Sequence, residues 1–142
     1  MALSTGDTRA LADYLASGES PRDAWRVGTE YEKFVFTGDG HRLPYEDQGQ
    51  QAGMGRLLRD LGGHGRWRFI EEAGHVIGLL KDGASITLEP GGQFELSGAP
   101  FATVHETHGE LERHLDDMRW LTQTHGVRWG WSGLDPLNAI EG

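Results

Sequence analysis

The predicted fold rests on one hairpin sequence, which reads Ser85-Ile-Thr-Leu-Glu-Pro-Gly-Gly-Gln-Phe-Glu-Leu-Ser-Gly98. Apolar and polar residues alternate with a period of two on both sides of Pro-Gly-Gly, which is typical of two strands joined by a turn. A two-residue loop over the glycines would set Leu88 opposite Glu95. This register is unfavourable because it places an apolar and a charged side chain on the same face of the sheet. We therefore predict a three-residue loop over residues 90–92 that opens with a type I turn.

The three-residue loop gives the hairpin an apolar face and a polar face. The two carboxylates of the polar face repel each other unless water or a cation lies between them. A solvent-facing side of an antiparallel sheet explains this pattern without any function, and a cation site is the alternative. The predicted cross-strand pairs are Leu88 with Phe94, Ile86 with Leu96, Thr87 with Glu95, and Glu89 with Gln93.

A second acidic pair lies upstream, in a strand-like run over residues 26–36 that is rich in β-branched and aromatic residues. Glu30 and Glu32 stand two residues apart and project from the same side of that strand, which Phe34 and Phe36 continue. If the two acidic strands are neighbours, several carboxylate oxygens converge, and Mg²⁺ or Mn²⁺ prefers such ligands. The spacing alone does not establish that the strands are neighbours.

These runs carry a resemblance to a known family. Arg26-Val-Gly-Thr-Glu-Tyr-Glu-Lys-Phe34, the hairpin through Pro100 and the later Val104-His-Glu-Thr107 resemble the amino-terminal part of plant and proteobacterial glutamate-cysteine ligases. The similarity covers residues 9–136. A related ligase of ergothioneine biosynthesis shares the pattern loosely.

The resemblance implies a glutamine-synthetase-like carboxylate-amine ligase. In that reaction ATP phosphorylates the γ-carboxylate of glutamate, and the amine of cysteine then attacks to give γ-glutamylcysteine, the first step of glutathione biosynthesis. By motif position, Glu30 and Glu32 match the first acidic pair of the family, and Glu89 and Glu95 match the second, as ligands of Mg²⁺ or Mn²⁺. Gln93 is then a substrate-contacting or supporting polar residue. The sequence identifies neither a catalytic residue nor a nucleotide contact.

The length of 142 residues is enough for one domain with a single core. We predict an α+β domain over residues 1–142, with an antiparallel meander packed against a long helix, as the amino-terminal portion of a larger ligase domain. Members of the family are considerably longer, so we expect the isolated chain to be incomplete for turnover. The alternative is a non-catalytic module that binds metal or nucleotide, or that serves assembly.

Composition excludes several classes of partner. The net charge of −9 argues against binding to a nucleic acid backbone, and no apolar run is long enough for a membrane span. Without cysteine, disulfides and zinc-thiolate sites are excluded. The first residues lack a signal or transit character, from which we predict a cytoplasmic protein. Glutamate, cysteine and ATP are the expected partners, and an exposed sheet edge favours self-association.

Hydrophobic spacing and turn residues predict the remaining elements. On the long helix, Glu110 is assigned to the exposed face. A zinc site at His105, His108 and Glu112 is disfavoured because one helix supplies all the ligands. The predicted elements are a helix over 7–16 packed through Leu11, Tyr14 and Leu15, a helix over 51–61 closed by Gly62 and Gly63, two strands within 67–81 that meet at Ala73-Gly74, a turn at Asp82-Gly83, a helix over 103–125 capped by Thr103 and Gly126, and a strand over 127–131.

Overall fold

The computed structural model describes residues 8–137 and confirms the α+β class with an antiparallel sheet. Two long helices lie on one face of six strands. A short 3₁₀ turn, Arg22–Ala24, precedes the first strand. The elements are α1 (Thr8–Ala16), β1 (Glu30–Phe36), α2 (Met54–Gly65), β2 (Arg68–Glu72), β3 (His75–Lys81), β4 (Ala84–Glu89), β5 (Gln93–Ser97), α3 (Val104–His125) and β6 (Arg128–Gly130).

The strands are ordered β2-β3-β4-β5-β1-β6, so a local meander is extended by the first strand of the chain. Ala73 and Gly74 turn β2 into β3 with φ of 48° and 82°, and Asp82 and Gly83 turn β3 into β4 with φ of 51° and 86°. Two successive residues with positive φ are the requirement of a type I′ hairpin turn. The predicted meander is confirmed, and β1 lies between β5 and β6.

The register of the β4–β5 hairpin is the predicted one, including the pairing of Leu88 with Phe94. The turn differs in type from the prediction. Gly91 takes φ of 85° at the second central position, and the N–H of Gly92 donates to the carbonyl of Glu89 at 2.8 Å. Positive φ at that position defines a type II turn, for which Pro-Gly is the preferred sequence.

The core lies between the apolar face of the sheet and helices α2 and α3. Leu79 of β3, Ile86 of β4 and Phe94 of β5 are fully buried. They belong to one cluster with residues of both helices, among them Leu57, Leu58, Leu61 and Leu121. Burial of each such side chain contributes about 1.5–3 kcal/mol. Because strand residues alternate between faces, this packing leaves the opposite face of β4, β5 and β1 to the polar side chains.

Helix α3 begins and ends where the sequence predicts. Thr103 and Glu106 form a complete capping box, and Gly126 closes the helix with φ of 69°. The assignment of Glu110 to the exposed face is wrong, since this residue is only 9% exposed. Its carboxylate accepts a hydrogen bond from the backbone N–H of Ala99 at 3.0 Å, which fastens the helix to the segment that leaves β5.

Two helix predictions require correction. The predicted packing role of helix α1 is wrong, because none of its residues is buried and Leu15 is 75% exposed; Asp7, its predicted first residue, lies outside the described residues. Helix α2 continues through Gly62 and Gly63 and ends at Arg66 in the left-handed conformation. Packing favours glycine at position 62, since a Cβ there would collide with the ring of Phe69. No helix between residues 8 and 137 has the length and apolar character to cross a bilayer.

The helix face of the sheet contains a fully buried lysine, Lys33 of β1. Its Nζ donates to the carbonyl of Tyr31 at 2.6 Å and lies 2.7 Å from Nε2 of His114 on α3. The ammonium also stands over the rings of Tyr31 and Phe94, at 4.7 and 5.4 Å from their centroids. Burial lowers the pKa of Lys33 to about 7, an effect that the carboxylate of Glu95 opposes.

His114 is kept neutral by the same surroundings. It is 3% exposed, and burial, assisted by the charge of Lys33, lowers its pKa to about 3. A protonated Lys33 has only donors, so in that state Nε2 of His114 is the acceptor and the ring proton lies on Nδ1. Lys33 and His114 thus form a buried polar link between β1 and α3.

The two glycines of helix α2 provide a matched test of the packing. We expect Gly62→Ala to lower the free energy of unfolding by about 1–3 kcal/mol, because the added methyl collides with Phe69. Gly63→Ala should raise it by about 0.5–1 kcal/mol, since position 63 has open space and alanine favours a helix. Urea denaturation measures both changes, and equal effects of the two substitutions would contradict the packing described for Gly62.

The buried histidine predicts a stability change with pH. Because the folded pKa of His114 is about 3 against 6.5 for a free histidine, the unfolded chain binds more protons between these values. The free energy of unfolding therefore falls as pH decreases from 6.5 towards 3, by at most about 1.4 kcal/mol per unit. His114→Gln keeps an acceptor for Lys33 and does not titrate, so its urea denaturation should show a shallower fall. His108→Gln, at an exposed position of α3, should retain the wild-type slope, and a wild-type slope in His114→Gln would refute the assignment.

Candidate cation and substrate site on the open face of the sheet

The predicted acidic strands are neighbours. β1 pairs antiparallel with β5, and this register sets Glu32 opposite Glu95 and Glu30 opposite Ser97. On its other side β5 pairs with β4, which sets Glu89 opposite Gln93. Alternation of side chains places all five predicted site residues on the face that α2 and α3 leave uncovered. We call this surface the glutamate face: Glu30, Glu32, Glu89, Gln93 and Glu95.

Hydrogen bonds within the glutamate face orient two of its carboxylates. Gln93 donates from Nε2 to Oε2 of Glu32 at 3.0 Å, so it bridges β5 and β1. The hydroxyl of Ser97 donates to Oε1 of Glu95 at 2.8 Å. Glu95 is the central carboxylate and is only 5% exposed, whereas Glu30 and Glu32 are open to solvent. A buried carboxylate with one neutral donor retains unused acceptor positions.

Glu89 and Glu95 lie diagonally across the hairpin on the same face of the sheet. The pKa of Glu89 is raised, first by a hydrogen bond with Glu95 and then by repulsion from the charges of Glu95, Glu32 and Glu30. The repulsion between two neighbouring carboxylates is relieved when a proton or a cation lies between them. A divalent cation bound at this position would relieve the same repulsion that raises the pKa of Glu89.

The donor set suits a hard divalent cation bound in part by substrate. Within residues 8–137, no group of three or more histidine, aspartate or glutamate side chains is close enough to hold a metal ion by itself. Magnesium is usually bound through one or two carboxylates, with waters and substrate phosphates as the remaining ligands. On the glutamate face, Glu89 and Glu95 would supply the two carboxylates, with Glu32 and Glu30 on the neighbouring strand. The residues present thus fit such an ion.

The sequence reasoning missed Lys33, which lies beneath the glutamate face. Glu95 influences the pKa of Lys33 although the two side chains leave the sheet on opposite faces. The period-two pattern carried the signal, since Lys33 occupies an apolar-face position between Glu32 and Phe34. A charged residue at a core position of a strand is rare and marks a specific environment.

The other candidate residues do not assemble into a site. His108 and Glu112 approach to 3.6 Å on the solvent side of α3, and within the described part of the chain no third ligand joins them.

Comparison with known proteins identifies relatives of this chain by sequence. The family model of glutamate-cysteine ligase family 2 matches residues 26–141. A chloroplastic glutamate-cysteine ligase of Medicago truncatula is 40% identical over 127 residues, which are 89% of this chain and 24% of that protein. Glutamate-cysteine ligase A of Oryza sativa subsp. japonica is 41% identical over 130 residues, 92% of this chain and 25% of that protein. The Nicotiana tabacum enzyme is 39% identical over 127 residues, 89% of this chain and 23% of that protein.

The names of these relatives overturn one prediction. The predicted cytoplasmic location is wrong, because the three relatives are named as chloroplastic proteins. The chain spans about a quarter of the length of these relatives. The prediction relied on the composition of its first residues, which does not identify a cellular compartment. The match of the family model covers most of the chain and includes the whole glutamate face. The chain belongs to glutamate-cysteine ligase family 2.

Proposed function

We propose that this chain supplies one wall of the active site of an ATP-dependent glutamate-cysteine ligase, which forms γ-glutamylcysteine in the first step of glutathione biosynthesis. The observation that supports this most is the strand register, which sets Glu32 of β1 opposite Glu95 and places Glu89 of β4 on the same face. The four carboxylates of this face repel one another unless a cation lies among them. They fit a ligand that brings positive charge.

The reaction requires such a face because its two substrates repel each other. The γ-phosphoryl group of ATP is transferred to an oxygen of the glutamate γ-carboxylate, and ADP leaves. The amine nitrogen of cysteine then attacks the acyl carbon, loses a proton and displaces phosphate. A divalent cation, when bound, neutralises the phosphate charges and holds them in line for transfer. Mg²⁺ is the proposed ion, with Mn²⁺ as its substitute.

Each residue of the glutamate face has a distinct part in this proposal. Glu95 and Glu89 would hold a divalent cation, and the hydroxyl of Ser97 keeps Glu95 in place. Glu32, held by Gln93, and Glu30 bind a cation from the side of β1. Gln93 remains a substrate-contacting or supporting residue. Strands hold these ligands more rigidly than loops do, so little reorganisation precedes the transfer.

The chain is proposed as the amino-terminal portion of a larger catalytic domain. Its sheet has two free edges, β2 and β6, where further strands can pair. Self-association through these edges is the competing use of the same backbone groups. The relatives are about four times as long, and residues outside this chain would provide the basic groups that bind phosphate.

Cation binding by the 142-residue chain tests the assignment of ligands. Titration with Mn²⁺, followed by electron paramagnetic resonance, should give saturable binding that Mg²⁺ displaces. Glu95→Gln should weaken it by about tenfold or more, which corresponds to about 1.4 kcal/mol. Glu112→Gln, at an exposed position of α3, should not change it.

The pH dependence adds a second readout. Because a proton on Glu89 competes with the cation, affinity should rise as pH increases through the raised pKa of Glu89. In Glu89→Gln this rise should be smaller. Equal Mn²⁺ affinity in wild type, Glu89→Gln and Glu95→Gln would refute the site.

Turnover is tested in a chimera. Residues 26–141 of this chain would replace the matching segment of the Medicago truncatula ligase, and ADP release would be measured with glutamate, cysteine and Mg²⁺. We expect activity in the chimera and its loss, by about a hundredfold or more, in the chimera with Glu95→Gln. Glu112→Gln serves again as the control.

The second candidate function is a module that binds metal or nucleotide without ligation. It predicts that the chain binds Mn²⁺ while a soluble, folded chimera releases no ADP above background. That pair of results would support the module and exclude the ligase wall.

A further inference from the structure

A cavity of about 280 Å³ lies on the helix face of the sheet, between α3 and the turn that joins β3 to β4. Leu96 of β5 forms part of its floor, and the next residue towards the turn, Glu95, points to the opposite face. The cavity is therefore separate from the glutamate face. Its volume is just below the range of about 300–1,000 Å³ that drug-sized ligands occupy, so it suits a smaller molecule.

Two buried N–H donors on the walls of this cavity lack a partner. His114 points Nε2 towards Lys33, and its Nδ1, which carries the ring proton, makes no hydrogen bond within the described part of the chain. The indole Nε1 of Trp67 is also without an acceptor there. Both residues line the cavity. Buried donors are satisfied in the great majority of native structures, by protein groups or by water, so these two N–H groups are available to an acceptor on a ligand.

Six charged side chains line the same space, and three of them have partners elsewhere: Lys81, Glu110 and Asp116. The other three, Arg113 and Asp117 of α3 and Asp82 of the turn, form no ion pair or side-chain hydrogen bond with another residue between 8 and 137. Burial raises the pKa of Asp117, while the nearby charges of His64 and Lys81 oppose this effect. Opposite charges in one small cavity suit a ligand that itself carries both.

We propose that this cavity binds a zwitterionic amino acid. Its carboxylate accepts from the Nδ1–H of His114 and from the guanidinium of Arg113, and its ammonium donates to Asp117 and Asp82. Lys33 has an indirect part, because its hydrogen bond to Nε2 fixes the tautomer that turns His114 into a donor. The site would bind amino acids on the helix face of the sheet, opposite the glutamate face. The proposal does not depend on the proposed ligase function.

Nuclear magnetic resonance of the full 142-residue chain tests the proposal, with alanine as the probe. Alanine carries both charges and no side-chain carboxylate, so it does not compete for a cation on the glutamate face. We expect a saturable shift of the Trp67 indole ¹⁵N–¹H signal, assigned with Trp67→Phe, and of the backbone amides of Arg113 and Asp117. Acetate and ethylamine, which each carry one charge, should bind at least about tenfold more weakly.

Variants separate this site from others. Arg113→Gln and Asp117→Asn change partly or fully exposed side chains and should each weaken alanine binding by about tenfold. Glu95→Gln and Glu112→Gln should leave it unchanged. The absence of a saturable shift at Trp67, equal responses to alanine and acetate, or unchanged binding in both Arg113→Gln and Asp117→Asn would each overturn the proposal. Loss of binding in Glu95→Gln would move the amino acid to the glutamate face and would overturn it as well.

Discussion

The pleat of β5 is the constraint on which the rest of the structure depends. Phe94 must face the helices and Glu95 must face away from them, because the two positions leave the strand on opposite sides. β5 is also central, so its register is imposed on β4 through Leu88 and on β1 through Glu32. A slip of one residue would place Glu95 in the apolar core, where an unpaired carboxylate costs far more than the hairpin contributes. One hydrophobic alternation thus sets both the core and the glutamate face.

Local chemistry made much of this predictable. The register of the hairpin followed from the clash between Leu88 and Glu95 in the alternative loop, and the capping box at Thr103 followed from the fit of short polar and acidic side chains to free backbone N–H groups. The helix-stop prediction at Gly62 failed because tertiary contact decided that position, where Phe69 leaves no room for a side chain. Helix α1 has an apolar stripe that nothing in the described residues covers.

Long-range contacts were beyond the sequence. The neighbourhood of β1 and β5 depends on the path of the chain between them, and no spacing rule reports it. The helical pattern placed Glu110 among exposed residues. In the structure its carboxylate is buried because it accepts a hydrogen bond from a backbone N–H just after β5. Lys33 is stabilised by His114 from a different element, which only the packed structure brings together. The family resemblance predicted that the four glutamates belong to one site. It did not predict the buried Lys33 and His114 on the opposite face of the sheet.

The glutamate face joins segments that are far apart in the chain. Gln93 and Glu32, which it brings into hydrogen-bond contact, are 61 residues apart, whereas the strands from β2 to β5 are joined by tight turns. Closing so long a loop costs conformational entropy that the local hairpins do not require. The carboxylates of β1 consequently meet those of β4 and β5 only when β1 pairs with β5. Repulsion between these two groups opposes that long-range pairing and does not affect the β4–β5 hairpin by itself.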